Sequence, residues 1–249
     1  LEGVLKIGIV GMGMVGKALN NWLEKNTSHE VKKRDIAFEK KDTFDGISAA
    51  FICIPIKKSK EGVQKYDELT EAINYCRYYT DKIFIRSTVL PGTNDFLKTI
   101  SMPEFFTARF ADSDMERLDV LCGNTDLELV QDIFPKKNII MMKNTECEIA
   151  KYMHNLFGAF KVTYFNIVKT LADKKQCDFE QIKKAMSITG FIEKTHTQVP
   201  GPDGKLGFGG ACFPDNLETF LPFLRQEKMF FEHYFFNNVL NLNKTYRGE

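Results

Sequence analysis

The sequence of 249 residues has no apolar run near the roughly 18 residues that a membrane-spanning helix requires, so none of its segments reads as a span. It also lacks a charge excess: 34 Lys and Arg stand against 33 Asp and Glu. A net charge of +1 provides no overall field to draw in nucleic acid or an anionic membrane. The short basic runs Lys32-Lys33-Arg34 and Lys57-Lys58-Ser59-Lys60 read as solvated surface. Six cysteines (Cys53, Cys76, Cys122, Cys147, Cys177, Cys212) form no C-x-x-C pair and have no metal-ligand spacing to His29, His154, His196 or His233. Reduced thiols, no metal and a cytoplasmic location are the resulting expectations. No internal repeat or low-complexity linker is seen, the start reads as a strand rather than a signal peptide, and Leu1 in place of methionine is read as a trimmed or tagged start.

What is present begins with a short β-branched run, Leu5 to Val10, followed at once by Gly11-Met12-Gly13-Met14-Val15-Gly16 and then by Ala18, Leu19, Trp22 and Leu23 at helical spacing. Strand, glycine turn and helix in this order fit dinucleotide binding. Gly11 allows the tight turn, Gly13 the approach of a pyrophosphate, and Gly16 the packing of helix on strand. A second strand from Val31 to Ile36 carries Asp35 about twenty residues past the last glycine, where a carboxylate reaches the ribose hydroxyls. That favours NAD over NADP, although Arg34 beside it could take a 2′-phosphate. Strand patterns recur at 48–54, 82–86, 118–121 and 138–142, with a helix at 66–78. The alternation predicts an α/β fold with a doubly wound, mostly parallel sheet that binds ligands at the carboxyl ends of its strands. Ile54, Pro55, Ser87 and Thr88 stand at such ends, as does Pro103-Glu104-Phe105-Phe106.

After Asn144 the pattern changes to long helices. Ile149, Met153, Leu156, Phe160, Tyr164, Ile167 and Leu171 form a stripe expected to pack on another helix, with Lys151 and Asn155 on its flank. Further helices are expected at 179–187, 217–225 and 230–242. The aromatics Phe230, Phe231, Tyr234, Phe235 and Phe236 call for a partner surface, read as that of a homodimer. Between these helices, Val199 to Asn216 holds five glycines and three prolines in eighteen residues, which neither a helix nor a sheet interior tolerates. It is a shaped loop. Cys212 follows its glycines, and Pro214 suits the first turn of a helix, so the thiol lies where a helix N-terminus favours thiolate.

Five motifs together carry a resemblance: G-M-G-M-V-G at 11–16, S-T-V-L-P-G-T at 87–93, P-E-F-F at 103–106, E-x-x-K-x-x-x-N from Glu148 through Lys151 to Asn155, and G-F-G-G-A-C-F-P at 207–214. The chain resembles the UDP-glucose/GDP-mannose dehydrogenases. The resemblance implies a Rossmann-type NAD-binding domain over 1–144, followed over 145–249 by a helical dimerisation domain that carries the cysteine loop. It also implies oxidation of a sugar-nucleotide C6 alcohol, UDP-glucose foremost, to the carboxylate by two hydride transfers through a thiohemiacetal and a thioester. Cys212 would then be the nucleophile, Lys151 and Asn155 the oxyanion-stabilising pair, and Thr88 the residue that positions a water. Glu104, Phe105 and Phe106 would line the substrate site, with the backbone of Gly207, Phe208, Gly209 and Gly210 facing the sugar.

The sequence departs from the family in places. Ala108 stands where many members carry a glutamate assigned to acid-base work. Asp215 and Asn216 stand where others have lysine and aspartate, and an amide cannot take a proton at neutral pH. Asp215, three residues from Cys212, is the expected partial replacement. The family's C-terminal domain, which holds the nucleotide, has no counterpart, so a short variety or a fragment and weakened nucleotide specificity are expected. Two alternatives stay open: a two-electron dehydrogenase of the 3-hydroxyacid type, and a dimeric NAD-binding module that has lost its catalytic set.

Overall fold

A computed structural model describes residues 3–249; the unusual start at Leu1 lies outside them. The chain forms two compact units, one taking the residues up to Ser59 together with Gln64–Lys151, the other Lys60–Val63 with Tyr152–Glu249.

In the first unit β1 (Lys6–Val10) runs into the glycine turn and α1 (Met14–Asn26), and β2 (Glu30–Arg34) and β3 (Ala49–Ile52) follow. A hairpin of β4 (Lys57–Lys58) and β5 (Gln64–Lys65), then α2 (Asp67–Arg77), β6 (Ile83–Ile85), α3 (Thr93–Leu97) and β7 (Ile100–Ser101) complete the main sheet region. The sheet has five strands in the order β2-β1-β3-β6-β7, every pair parallel. Its apolar residues fill both faces, as a parallel sheet covered by helices requires. Ile7, Ile9, Phe51 and Phe84 pack with Leu19, Trp22 and Leu23 of α1 on one face, and Ala50, Ile52, Ile83 and Ile85 pack with Leu69 and Ile73 of α2 on the other.

Beyond β7 come α4 (Ala111–Arg117), β8 (Val120–Gly123), α5 (Leu127–Ile133) and β9 (Ile139–Met142). The strands expected at 118–121 and 138–142 stand apart from the five-stranded parallel sheet. β8 and β9 pair parallel with each other as a separate two-stranded sheet, although Val120 and Cys122 still share the core on the α1 face. Hydrophobic periodicity sets the faces of a strand but not its neighbours. Lys137 braces this region from inside. Its buried ammonium donates to the carbonyls of Met115, Glu116 (2.8 Å) and Leu118 (2.9 Å).

α6 (Asn144–Lys174) runs for 31 residues, and α7 (Phe179–Met186), α8 (Cys212–Gln226) and α9 (Phe230–Arg247) belong with its C-terminal part to the second unit. The stripe expected to pack on another helix needs correcting. Leu156 is buried, but Ile149, Met153, Tyr164, Ile167 and Leu171 are exposed. The inward face instead carries Tyr152, Asn155, Leu156, Ala159, Thr163 and Asn166. α6 is apolar around more than half its circumference, so a 3.6-residue period is compatible with either flank. The partners decide: Tyr152 stacks on Phe220 at 5.3 Å, and the ring of Phe213 occupies the space that a side chain at Gly158 would need.

Candidate active site

The glycine turn has the form a phosphate cradle requires. Gly11 has φ +90°, a conformation that side chains disfavour, and a Cβ there would press on the Cys53 carbonyl at 2.8 Å and on the Ile54 side chain at 2.9 Å. A Cβ at Gly16 would collide with the Gly11 carbonyl oxygen, so the close seating of α1 depends on its absence. Gly13 is different, because a Cβ there would meet nothing within 4 Å. It is the residue that precedes α1, and no side chain caps that end. Unsatisfied N–H groups with open space in front of them suit a pyrophosphate, so these residues fit a dinucleotide. Met14 is exposed, Val15 half-buried and Gly16 buried.

Asp35, one residue past β2, accepts from the N–H of Met12 at 2.6 Å and of Ala37 at 2.9 Å. These backbone donors, that of Ala37 foremost, hold its carboxyl below the usual range. The carboxylate therefore also braces the turn it faces, in addition to the ribose contact expected of it. Arg34 is turned elsewhere, with its guanidinium carbon 4.0 Å from the centre of the Tyr75 ring and Nη1 donating to the Asp42 carbonyl at 3.1 Å. Ser87 Oγ donates to the Ile54 carbonyl at 2.6 Å, which ties together two of the expected cofactor contacts, while Pro55 next to them is exposed. Thr88 is half-buried, and its carbonyl accepts from Gln64.

At the far end of the sheet, Glu104 and Lys151 form a buried ion pair at 3.2 Å. Glu104 also accepts from the N–H of Phe106 at 2.5 Å, and Lys151 Nζ lies 5.4 Å from the centre of the Phe105 ring. Lys151 and Asn155 are 4% and 6% exposed, which removes them from the solvated flank of an ordinary surface helix. The glutamate of the same motif does something the sequence did not indicate. Glu148 is buried and accepts from the N–H of Gly92 (2.6 Å), the N–H of Asn94 (2.8 Å) and the Asn94 side chain (2.7 Å), fixing α6 to the start of α3. Burial pushes its carboxyl above the usual range.

In the second unit, Cys212 is the first residue of α8 and is exposed, with Pro214 two residues further on. Cys53, Cys76, Cys122 and Cys147 are buried, and burial pushes each of these thiols up to about 12. Cys177 is also exposed but lies outside the helix, two residues before the start of α7, whereas Cys212 is itself the first residue of α8. Asn155 Nδ2 donates to Asn216 Oδ1 at 2.5 Å, and both side chains are buried. Asp215 is half-buried in the first turn of α8. Ala108 opens a single 3-10 turn and is exposed.

The glycine loop corrects one expectation. The backbone at 207 and 208 is already committed: Gly207 N–H donates to Asn166 Oδ1 at 2.9 Å, and Phe208 exchanges bonds of 2.6 and 3.0 Å with the Asn243 side chain. Phe208 is buried. The missing side chains at Gly207 and Gly209 make room for Asn243 and for the Arg247 guanidinium of α9. Gly210 is exposed with nothing near a Cβ, and the backbone of Gly209 has no bond to Asn166 or Asn243. Asparagine in a helix pattern gives no sign that it will clamp a distant loop, so this could not be read in advance. Among the described residues no His, Cys, Asp and Glu cluster could hold a metal, and no helix is long and apolar enough to cross a membrane.

The architecture is that of Rossmann-type α/β proteins. It is shared with a UDP-glucose dehydrogenase from Pyrobaculum islandicum (TM-score 0.83, 21% identity, 98% of this chain and 69% of that one) and a UDP-D-ManNAc dehydrogenase from Pyrococcus horikoshii (TM-score 0.81, 17% identity, 96% and 68%). Residues 145–245 match the family model described as UDP-glucose/GDP-mannose dehydrogenase family, central domain, and it is to this family that the chain is similar. A putative UDP-glucose 6-dehydrogenase of Bacillus subtilis is 29% identical over 203 residues, which are 73% of this chain and 45% of that protein. An uncharacterized protein of Methanocaldococcus jannaschii is 28% identical over 233 residues, 82% of this chain and 24% of that one. The chain thus spans about half, or less, of the length of these relatives.

Proposed function

We propose that this chain carries the catalytic part of an NAD-dependent nucleotide-sugar 6-dehydrogenase, with UDP-glucose as the first substrate to test. The observation that carries the reading is Cys212, an exposed thiol on the first residue of a fifteen-residue helix, in a chain whose exposed cysteines are otherwise represented by Cys177 alone. The N-terminal dipole stabilises the thiolate that attacks an aldehyde. Bound NAD would supply the hydride acceptor. Gly11, Gly13, Met14, Val15 and Gly16 would hold its pyrophosphate, Asp35 its ribose, and Ile54, Pro55, Ser87 and Thr88 would line its path along the strand ends. The engagement of Arg34 with Tyr75 and Asp42 supports NAD over its phosphorylated form.

The residues of this chain then divide the work. Lys151, paired with Glu104, and the Asn155 amide would stabilise negative charge on the C6 oxygen, where buried donors act most strongly. Cys212 would form the thiohemiacetal with the aldehyde and, after loss of a second hydride, hold the thioester. Water positioned by Thr88 would release the acid. Phe105, Phe106, Gly209 and Gly210 are the proposed sugar contacts. A homodimer through the second unit is inferred from the exposed Phe230, Phe231, Tyr234 and Phe235 of α9.

A second reading has its own observations. Asn216 occupies the Asn155 amide, and position 108 has no carboxylate. Both favour a reaction that slows at the thioester. Incubating the protein with NAD and a panel of sugar nucleotides, counting NADH and weighing the protein, separates the readings. Two NADH per sugar supports the dehydrogenase, an accumulating adduct on Cys212 supports the stalled form, and normal NAD binding without turnover of any sugar nucleotide removes both.

A further inference from the structure

Arg86, the residue after β6, is 4% exposed, and its Nε–H is wholly shielded with no hydrogen-bond partner among the described residues. A buried donor is normally satisfied by protein or by ordered water, so this one calls for an explanation. The guanidinium carbon stands 5.5 Å from the centre of the Phe106 ring, and burial holds its pKa below the usual arginine range. Its other polar neighbours, Cys53 and Cys122, are thiols pushed up to about 12 and therefore uncharged. Arg86 and Glu104 line one cavity together with Asp119, with a volume of about 20 Å³. That space has room for one water and for no larger ligand.

The P-E-F-F segment therefore meets two cations, each facing a phenylalanine ring, Lys151 over Phe105 and Arg86 over Phe106, and its carboxylate is paired with Lys151. We propose that Arg86 is a positioning residue that grips Glu104 through one water in this cavity, so that Glu104 in turn fixes the ammonium of Lys151 for the chemical step. The inference rests on the function proposed above. It adds a residue that touches neither sugar nor cofactor. A buried ammonium held in place by Glu104 suits a site where an oxyanion develops.

The test is a crystal structure of the wild-type chain together with Arg86→Met and Arg86→Lys. A water within bonding distance of both Arg86 Nε and the Glu104 carboxylate is expected, along with a displaced Glu104 in Arg86→Met. In turnover, Arg86→Met should lower kcat by about tenfold to a hundredfold, the scale of a misplaced catalytic group, with KM for the sugar nucleotide and NAD affinity changed little. Arg86→Lys should restore most of the rate. A dry cavity, an unmoved Glu104 in Arg86→Met, or a lysine variant as slow as the methionine one would overturn the proposal. Failure of the wild type to reduce NAD would sink the functional reading instead, and the water and the Glu104 orientation would still decide this one.

Discussion

At the residue scale, the glycine turn separates two kinds of glycine that the motif treats alike. Gly16 is a packing position, since a methyl there meets the Gly11 carbonyl oxygen. Gly16→Ala should therefore lower the thermal midpoint by several degrees or prevent folding, which a melting curve will show. Gly13 opens on empty space. Gly13→Ala should keep the wild-type melting curve and weaken NAD binding by roughly tenfold in a fluorescence titration, about 1.4 kcal/mol. An alanine variant that melts early and binds normally would show that the turn has no cradle. For Cys212, substitution by serine should abolish acid formation while leaving NAD binding intact. Asp215→Ala should slow acid formation, and an unchanged rate would end the idea that Asp215 replaces the carboxylate missing at 108.

At the scale of elements, two carboxylates fasten secondary structure and respond to pH in opposite directions. Asp35 is held below its usual pKa by backbone donors. The stability it contributes is present above the ordinary carboxylate range and is lost as pH falls through its lowered value. Asp35→Asn should flatten the acid limb of stability against pH in urea titrations. Glu148 is raised by burial, so its contribution is full below the ordinary glutamate range and fades as pH rises through its raised value. Glu148→Ala would leave the N–H of Gly92 and of Asn94 unmet between α3 and α6. A loss of about 1–3 kcal/mol per unmet buried group is expected at neutral pH, read as a lower denaturation midpoint.

At the scale of the whole molecule, the uncovered aromatic surface is the main feature. Phe231 is 89% exposed and Tyr234 71%, on the same end of α9 as Phe230 and Phe235. Sedimentation should give a dimer, and Phe231→Asp with Tyr234→Asp should give a folded monomer. A monomeric wild type at micromolar concentration would remove the partner from the account.

Much of this was legible in advance, because each signal was local. The strand and glycine turn at 5–16, the carboxylate at 35, the start of a helix beside Cys212 and the run of long helices after 144 each follow from spacing within a few residues and from the backbone limits of glycine and proline. What only the tertiary structure decided was pairing at a distance. It sent β8 and β9 into their own sheet, turned the other flank of α6 inward, and gave the backbone of Gly207 and Phe208 to Asn166 and Asn243. It also buried Arg86 against Phe106 and closed Glu104 onto Lys151 across 47 positions of the chain. Periodicity records which face of an element is apolar. Which neighbour covers that face, and which polar groups must then satisfy one another, is settled when all the elements compete at once for contacts that no short stretch of sequence contains.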